Sequence, residues 1–423
     1  MKRTICSFII FNMILARLFT QAAGNDEINE SNDGMENRIT AVFVSGLKRT
    51  KPHIIENRLL KFIGMEEQNI DMNEVYAVIE SSGILEPISI EIADNQEDEG
   101  KTLMVTVREK WSVLFGPYFF AGSGNWRAGG AVFDTNAFGL KDTFLVMGIY
   151  GKSEWAARIM YTHTPDAVGS YGFIIDNHLF SQDKENTDQT GDEVLRRFNA
   201  LTVNPSFSLL YSLTDLFTPS LGVSYRYTVL KDTEKMLNAP EDGMQAVTIT
   251  PGINMRRSSW DGYLLSEQSA TLQYRYNLVF EEADVHSVIL NAKFNYSIVP
   301  GFRIASKAGL LFSSPSAAPY FERPPISAVN ILPSTYSASN YAGISLGLEK
   351  FLFKIPFGTF ALSLVYQAVY SDGDLLRHQF DHGPAAFVQM YFSRIAVPGV
   401  ALGAAYNVDK KQFEFAFSIG IAF

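Results

Sequence analysis

Residues 412–423 read Q-F-E-F-A-F-S-I-G-I-A-F, and this alternation constrains the chain more than any other stretch. Phe413, Phe415, Phe417, Ile419, Ile421 and Phe423 are large and apolar, whereas Gln412, Glu414, Ala416, Ser418, Gly420 and Ala422 are small or polar. Successive side chains of a strand point to opposite faces, so one face is a solid apolar stripe and the other is thin and wettable. A strand of a soluble sandwich can alternate in this way. A final strand that closes on an aromatic residue fits better a barrel whose outside meets lipid and whose inside is a lumen.

The same period extends upstream. From Trp111 onward no helical period lasts two turns, and alternating segments of about ten residues are separated by turn residues. Strands are expected at 112–121, 125–135, 142–151, 154–163, 169–180, 198–210, 218–229, 245–255, 264–279, 284–298, 301–313, 340–350, 358–370, 384–393, 397–407 and 411–423. Sixteen is an even number, and the lengths suit a tilted bilayer crossing of about 9–11 residues with some overhang. Within one such segment Phe360, Leu362, Leu364 and Tyr366 would face lipid, and Ala361, Ser363, Val365 and Gln367 the interior. Connections 164–168, 211–217, 299–300, 351–357 and 394–396 follow even-numbered strands and are short. Connections 181–197, 230–244, 314–339 and 371–383 follow odd-numbered strands and are long. Short turns on the periplasmic side and long loops outside are the rule for an outer-membrane barrel, here spanning 110–423.

Composition narrows the partners. A formal net charge of −10 without a basic stripe argues against nucleic acid. A mean hydropathy near zero excludes a polytopic helical protein but not a barrel, whose inward residues dilute the average. Lys2 and Arg3, an apolar run from Ile5 to Phe19, and Ala22, Ala23 and Gly24 read as a secretory signal over 1–23. Cys6, the single cysteine, falls inside it, so the expected mature chain has neither thiol nor disulfide. Residues 24–37 are acidic and Asn-rich, as in a disordered linker.

Between linker and barrel, residues 38–109 read as a small α+β domain. Arg38–Ser45 is β-rich and closed by Gly46. A helix opens at Thr50 or Lys51 with Pro52 in its first turn and Ile54, Ile55, Leu59 and Leu60 on its buried side. Asp71 and Glu74 form a capping-box-like start to a second helix with Val75, Val78 and Ile79 inside and Gly83 after its end. Ile88, Ile90 and Ile92, then Leu103, Val105 and Val107, alternate as two strands. The order is β-α-α-β-β.

Several short motifs suggest chemistry and fail on context. Gly343-Ile344-Ser345-Leu346-Gly347 fits the nucleophile-elbow pattern but lies within a strand, where its small residues face inward. His378 and His382 are four apart in a loop with no helical signal, so they make no metal pair. Gly122-Ser123-Gly124 is a hairpin turn without the Lys-Ser/Thr of a phosphate loop. Glu349 and Glu414 are expected to be solvated lumen residues, and Asp134 and Asn136 to cap the first periplasmic turn. No catalytic residue, cofactor or metal is expected, and the protein is read as a non-enzyme.

The domain order, with Val44-x-Gly46 after the first strand and Val107-Arg108-Glu109 closing the last, resembles a POTRA domain. With Asp134-Thr135-Asn136-Ala137-Phe138-Gly139 at the first turn, a longest loop between strands eleven and twelve, and the terminal Phe423, the chain resembles the BamA/TamA superfamily over residues 38–423. That family, which includes bacterial surface antigens, joins periplasmic POTRA domains to a sixteen-stranded outer-membrane barrel. The resemblance implies a bilayer location with the N-terminal domain in the periplasm. It also implies unfolded outer-membrane or secreted polypeptide clients, received by strand addition and inserted at the seam between first and last strands, with accessory periplasmic or lipoprotein subunits as further partners. The alternatives are a polypeptide-secretion pore and a passive pore or surface-antigen barrel.

Two features depart from the family. Its long loop enters the lumen and carries V-R-G-F/Y, whose arginine meets an inward aspartate. Here the matching stretch is Val329-Asn330-Ile331-Leu332, and Gln367 occupies the inward partner position. Arg323, in Glu322-Arg323-Pro324-Pro325, is the candidate stand-in for the missing arginine. The second departure is a single POTRA-like domain.

Overall fold

The computed structural model describes residues 37–423 except 96–99, 123–124, 153, 188–193, 237–242, 261–262, 281–282, 315–326, 333–335, 337, 373–378, 397–398 and 421–423. The expected signal segment, nearly all of the expected linker, Arg323, His378, Ile421 and Phe423 therefore lie outside the described residues.

The N-terminal module contains β1 (Ile39–Ser45), α1 (His53–Leu59), α2 (Met72–Glu80), β2 (Leu85–Asp94) and β3 (Lys101–Glu109). Its sheet order is β1-β3-β2, with β1 parallel and β2 antiparallel to the central β3. Ile54, Ile55 and Leu59 of α1 and Val75 and Ile79 of α2 pack on Leu103, Val105 and Val107 of β3, closing one apolar core. Asp71 caps α2 by accepting the Asn73 N–H at 2.9 Å. The expected reciprocal bond from Glu74 is replaced by one from Lys61 Nζ to Glu74 at 2.6 Å.

Leu60, expected on the buried side of its helix, is exposed, and Ile88 departs from the alternation read for Ile88, Ile90 and Ile92. Leu60 is 52% exposed because the chain tightens into a 3-10 turn after α1, and Phe62 takes the buried place. Ile88 is 51% exposed because the β2–β3 register shifts between Pro87 and Ser89, and the bulge moves it out of phase with Ile90 and Ile92.

The second sheet has sixteen antiparallel strands in sequence order. They are β4 (Val113–Gly122), β5 (Asn125–Ala137), β6 (Asp142–Gly151), β7 (Glu154–His163), β8 (Tyr171–Thr187), β9 (Val194–Tyr211), β10 (Phe217–Met236) and β11 (Met244–Trp260). They continue as β12 (Leu265–Val279), β13 (Val285–Val299), β14 (Phe302–Ser313), β15 (Asn340–Ile355), β16 (Gly358–Asp372), β17 (Gln379–Phe392), β18 (Gly399–Asn407) and β19 (Gln412–Gly420). The sheet curls until Cα atoms of its edge strands β4 and β19 come within 8 Å of one another.

Alternation sorts the side chains between the two faces. Leu364, Tyr366, Phe413 and Phe415 are exposed on the outer face, while Ala361, Ser363, Gln367 and Glu414 are buried on the inner one. All described contacts between the module and the sheet lie at one end of the strands, the module end. Among them are bonds to Asp134, Gly139, Asp166 and Arg394.

The main difference from the expected strand map lies at the far end. β8 and β9 extend to Thr187 and back from Val194, β10 and β11 to Met236 and back from Met244. Much of the expected connections 181–197 and 230–244 is therefore ladder. Likewise β17 begins at Gln379 rather than 384. The sequence of 181–187, S-Q-D-K-E-N-T, is polar throughout, so it carries none of the period-2 signal from which strands are read.

Candidate functional site

Three arrangements carry functional weight: the joint between module and sheet, the inner face, and the edges β4 and β19.

At the joint, Gly46 has φ +86°, and a Cβ there would stand 2.0 Å from the Val107 carbonyl oxygen. Only glycine allows the chain to leave β1 so close to β3. The turn that follows aims three N–H groups at the last residue of β3. Lys48, Arg49 and Thr50 donate to Glu109 Oε1 at 3.0, 2.9 and 2.6 Å. Burial works to raise the Glu109 pKa, but the main-chain donors of Thr50, Arg49 and Lys48 outweigh it and hold the carboxyl below its ordinary range.

This turn presents Arg49 to the sheet. Its guanidinium donates to Asp134 Oδ2 at 2.6 Å and to Ser112 Oγ at 3.1 Å. Asn136 Nδ2 donates to Thr50 Oγ1 at 2.9 Å, and the Lys51 N–H donates to the Gly139 carbonyl at 2.9 Å. Asp134 also accepts the Asn136 N–H at 3.0 Å, and Asn136 Oδ1 accepts that of Lys141 at 2.9 Å. Asp134, Asn136 and Gly139 thus shape the turn and dock the module on it at once. The contribution of Arg49 escaped sequence reading, because its partner lies 85 positions away. Its local signal is Glu109, an acid terminating an apolar alternation next to a glycine turn.

A second contact involves the linker between module and sheet. The Trp111 N–H donates to Arg394 O at 2.9 Å, the Ala396 N–H donates to Trp111 O at 2.8 Å, and Trp111 bridges Ile395 in parallel. Ala396 is buried against the core of the module.

On the inner face, Val329, Ile331 and Leu332, with Tyr336 and Ala338, pack on Leu311, Tyr341, Val369, Ala385 and Phe387. Gln367 Oε1 accepts the Asn330 N–H at 2.8 Å, and Asn407 Nδ2 donates to Ile331 O at 3.2 Å. Tyr336 OH donates to Gln379 Oε1 at 3.1 Å. The stretch singled out in the sequence therefore lies inside the curled sheet and meets Gln367. Among the described residues it is held by apolar burial, worth roughly 1.5–3 kcal/mol per large side chain, and by neutral hydrogen bonds.

Glu349 and Glu414 correct an expectation: they are 0% and 4% exposed rather than solvated. The interior they face is filled. Arg303, itself 0% exposed, is the cross-strand partner of Glu349 and donates to Glu349 Oε2 from Nη2 at 2.9 Å and from Nε at 3.2 Å. Arg303 Nη2 also donates to Tyr391 OH at 2.5 Å, and that hydroxyl donates to Glu349 Oε1 at 2.6 Å. Leu264 packs beside Tyr391 and Ala361. Asp381, next to His382, accepts from Asn407 Nδ2 at 2.9 Å, and the described residues contain no group of three metal-ligating side chains.

The edge strands complete the picture. β4 pairs with β5 and β19 with β18, and among the described residues no ladder joins β4 to β19. Pro117 lies in the middle of β4, where it removes one main-chain donor, a substitution tolerated at sheet edges.

No protein-family model matches this sequence, and no curated protein matches it. Solved structures do. BamA from Haemophilus ducreyi lacking POTRA domains 1–3 aligns with a TM-score of 0.52 at 13% identity, over 90% of this chain and 84% of that one. CdiB from Acinetobacter baumannii aligns at 0.58 and 13%, over 92% of this chain and 74% of that one. CdiB from Escherichia coli aligns at 0.62 and 13%, over 94% and 80%. The sixteen-stranded curled sheet has the fold of these solved structures.

Proposed function

We propose that this chain, which has the fold of the BamA and CdiB barrels, is a non-enzymatic outer-membrane protein that inserts unfolded polypeptide clients at the seam between β4 and β19. In this reading the sheet is a barrel crossing the bilayer, the module end faces the periplasm, and the module is a POTRA-like domain. The edge strand β2 then offers unpaired main-chain groups to an extended client whatever its sequence. The observation that carries the reading is the seam: two edge strands brought side by side with no ladder between them among the described residues, one of them carrying Pro117, which lacks a main-chain donor. A client strand replaces nothing strong there, and its own pairing and lipid burial supply the driving force, so neither nucleotide nor metal is called for.

The filled inner face favours this over a passive pore, since Val329, Ile331, Leu332, Arg303 and Glu349 occupy it. A polypeptide-secretion pore is the second reading. The neutral anchors Gln367 and Asn407 in place of a buried ion pair make the inner segment easier to displace.

The test is insertion. The protein is refolded into liposomes, an unrelated unfolded outer-membrane barrel is added, and the client's protease protection is followed in time. Faster protection than in empty liposomes, abolished by deleting residues 38–109, is expected. Unchanged kinetics alongside correctly folded protein would sink the insertion reading for general clients and leave the secretion pore.

A further inference from the structure

The module grips the curled sheet on both sides of the seam. On one side it holds the turn between β5 and β6 through Arg49–Asp134, Thr50–Asn136 and Lys51–Gly139. On the other, the linker residue Trp111 is bonded to Arg394 and Ala396, in the connection between β17 and β18. In the order of the sheet, β19 and β4 lie between the two grips. Trp111 immediately precedes β4, so its bonds reach across the seam and past the last strand.

We propose that the module is a clasp over the seam, hinged on the β5–β6 turn and latched at Trp111–Ala396, so that the lips separate at the module end only when the latch lets go. With no ladder between β4 and β19 among the described residues, the module is a body attached on both sides of the seam. The grips are also unequal. The hinge side has an ion pair and two further hydrogen bonds at the β5–β6 turn, with the Asn57–Asp166 bond beyond it at the connection from β7 to β8, and Glu109 stiffens the turn that presents the first three. The latch side has two main-chain bonds and one buried alanine methyl. Under a load that parts the lips, the smaller set of contacts yields first, and the module stays with β4 and β5. The clasp rests on the barrel reading above, but its test uses no client, so it fails or succeeds separately from the insertion assay.

Hydrogen exchange on the full chain in lipid vesicles reads the clasp directly. Ala396→Asp places a charge in the core of the module and should open the latch. Amides of 113–122 and 412–420 are expected to exchange at least tenfold faster, while those of 340–372 and of the hinge segment 46–52 keep their rates. Because Cys6 is the sole cysteine, a Trp111→Cys/Ile395→Cys pair in a Cys6→Ser background can lock the latch cleanly. Oxidation should slow exchange at both edge strands, and reduction should restore it. Edge-strand rates unchanged by Ala396→Asp, or loss of protection at 46–52 before the edges, would overturn the proposal. If Ala396→Asp does not assemble, the locked pair decides alone: equal edge-strand exchange in its oxidised and reduced forms refutes the clasp.

Discussion

Removing Arg303 tests whether the interior is as dry as the structure places it. Arg303 and Glu349 are both 0% exposed, and apart from Arg303 the described donor to the Glu349 carboxylate is the Tyr391 hydroxyl at 2.6 Å. Breaking a buried pair by deleting one partner costs about 3–5 kcal/mol, because the surviving charge is stranded. The remaining tyrosine bond, worth roughly 1.5–3 kcal/mol to a charged group, places Arg303→Ala near the lower end. A loss of about 3 kcal/mol is a factor of about 150 in the folding equilibrium, at 1.36 kcal/mol per decade. The assay is urea unfolding in short-chain lipid vesicles, followed by tryptophan fluorescence and by the heat-dependent mobility of the folded band. The double variant Arg303→Met/Glu349→Leu removes both charges and keeps volume, and Tyr391 retains Gln389 Oε1 at 2.8 Å as acceptor. It should recover to within about 1–2 kcal/mol of the parent. A cost below about 1 kcal/mol for Arg303→Ala would mean that water reaches the carboxylate, and the packed-interior argument falls. A double variant as unstable as the single one would show that packing volume, rather than stranded charge, sets the loss.

Two further outcomes follow from the joint and the inner segment. The pKa of Glu109 is depressed in the folded chain, so its stabilising contribution is complete above its ordinary value of 4.5 and fades as pH falls through the depressed one. Amide protection at 46–52 should therefore drop on acidification below about pH 4.5, and Glu109→Gln should flatten that dependence; an equal drop in both proteins refutes the assignment. Ile331→Asp places a charge among Leu311, Val369 and Phe387 and should expel the inner segment, raising single-channel conductance severalfold in planar bilayers. Unchanged conductance would mean that other residues block the interior.

Legibility in the sequence followed the strength of the local signal. The strands were readable where one face is apolar, as at Phe413, Glu414 and Phe415, because one sandwiched polar residue fixes the phase of its neighbours. The strands run on past the expected ends at 181–187 and 231–235, where the sequence, S-Q-D-K-E-N-T and K-D-T-E-K, is polar throughout and nothing marks the period. Gln367 and Val329–Leu332 could be named from the resemblance, but not the neutral bond that joins them, since 37 positions separate Asn330 from Gln367. Glu349 was taken for a solvated residue because inward position alone does not say whether a lumen is filled.

The sequence by itself determined the division into a small α+β module and a long antiparallel sheet, the number of strands in that sheet, and the outward or inward phase of residues such as Leu364, Tyr366, Ala361 and Ser363. Period, turn chemistry and helix signals act over a few residues, and each is written where it acts. Only the tertiary structure decided that Arg49 reaches Asp134, that Arg303 stands opposite Glu349, and that Trp111 grips the turn beyond the last strand. Arg303 and Glu349 are separated in sequence by the connection 314–339, across which no local rule sets register. Trp111 meets Ile395 only because fifteen strand-to-strand twists and staggers accumulate until the sheet returns on itself. Such closure is a property of the whole sheet and is not carried by any segment of the chain.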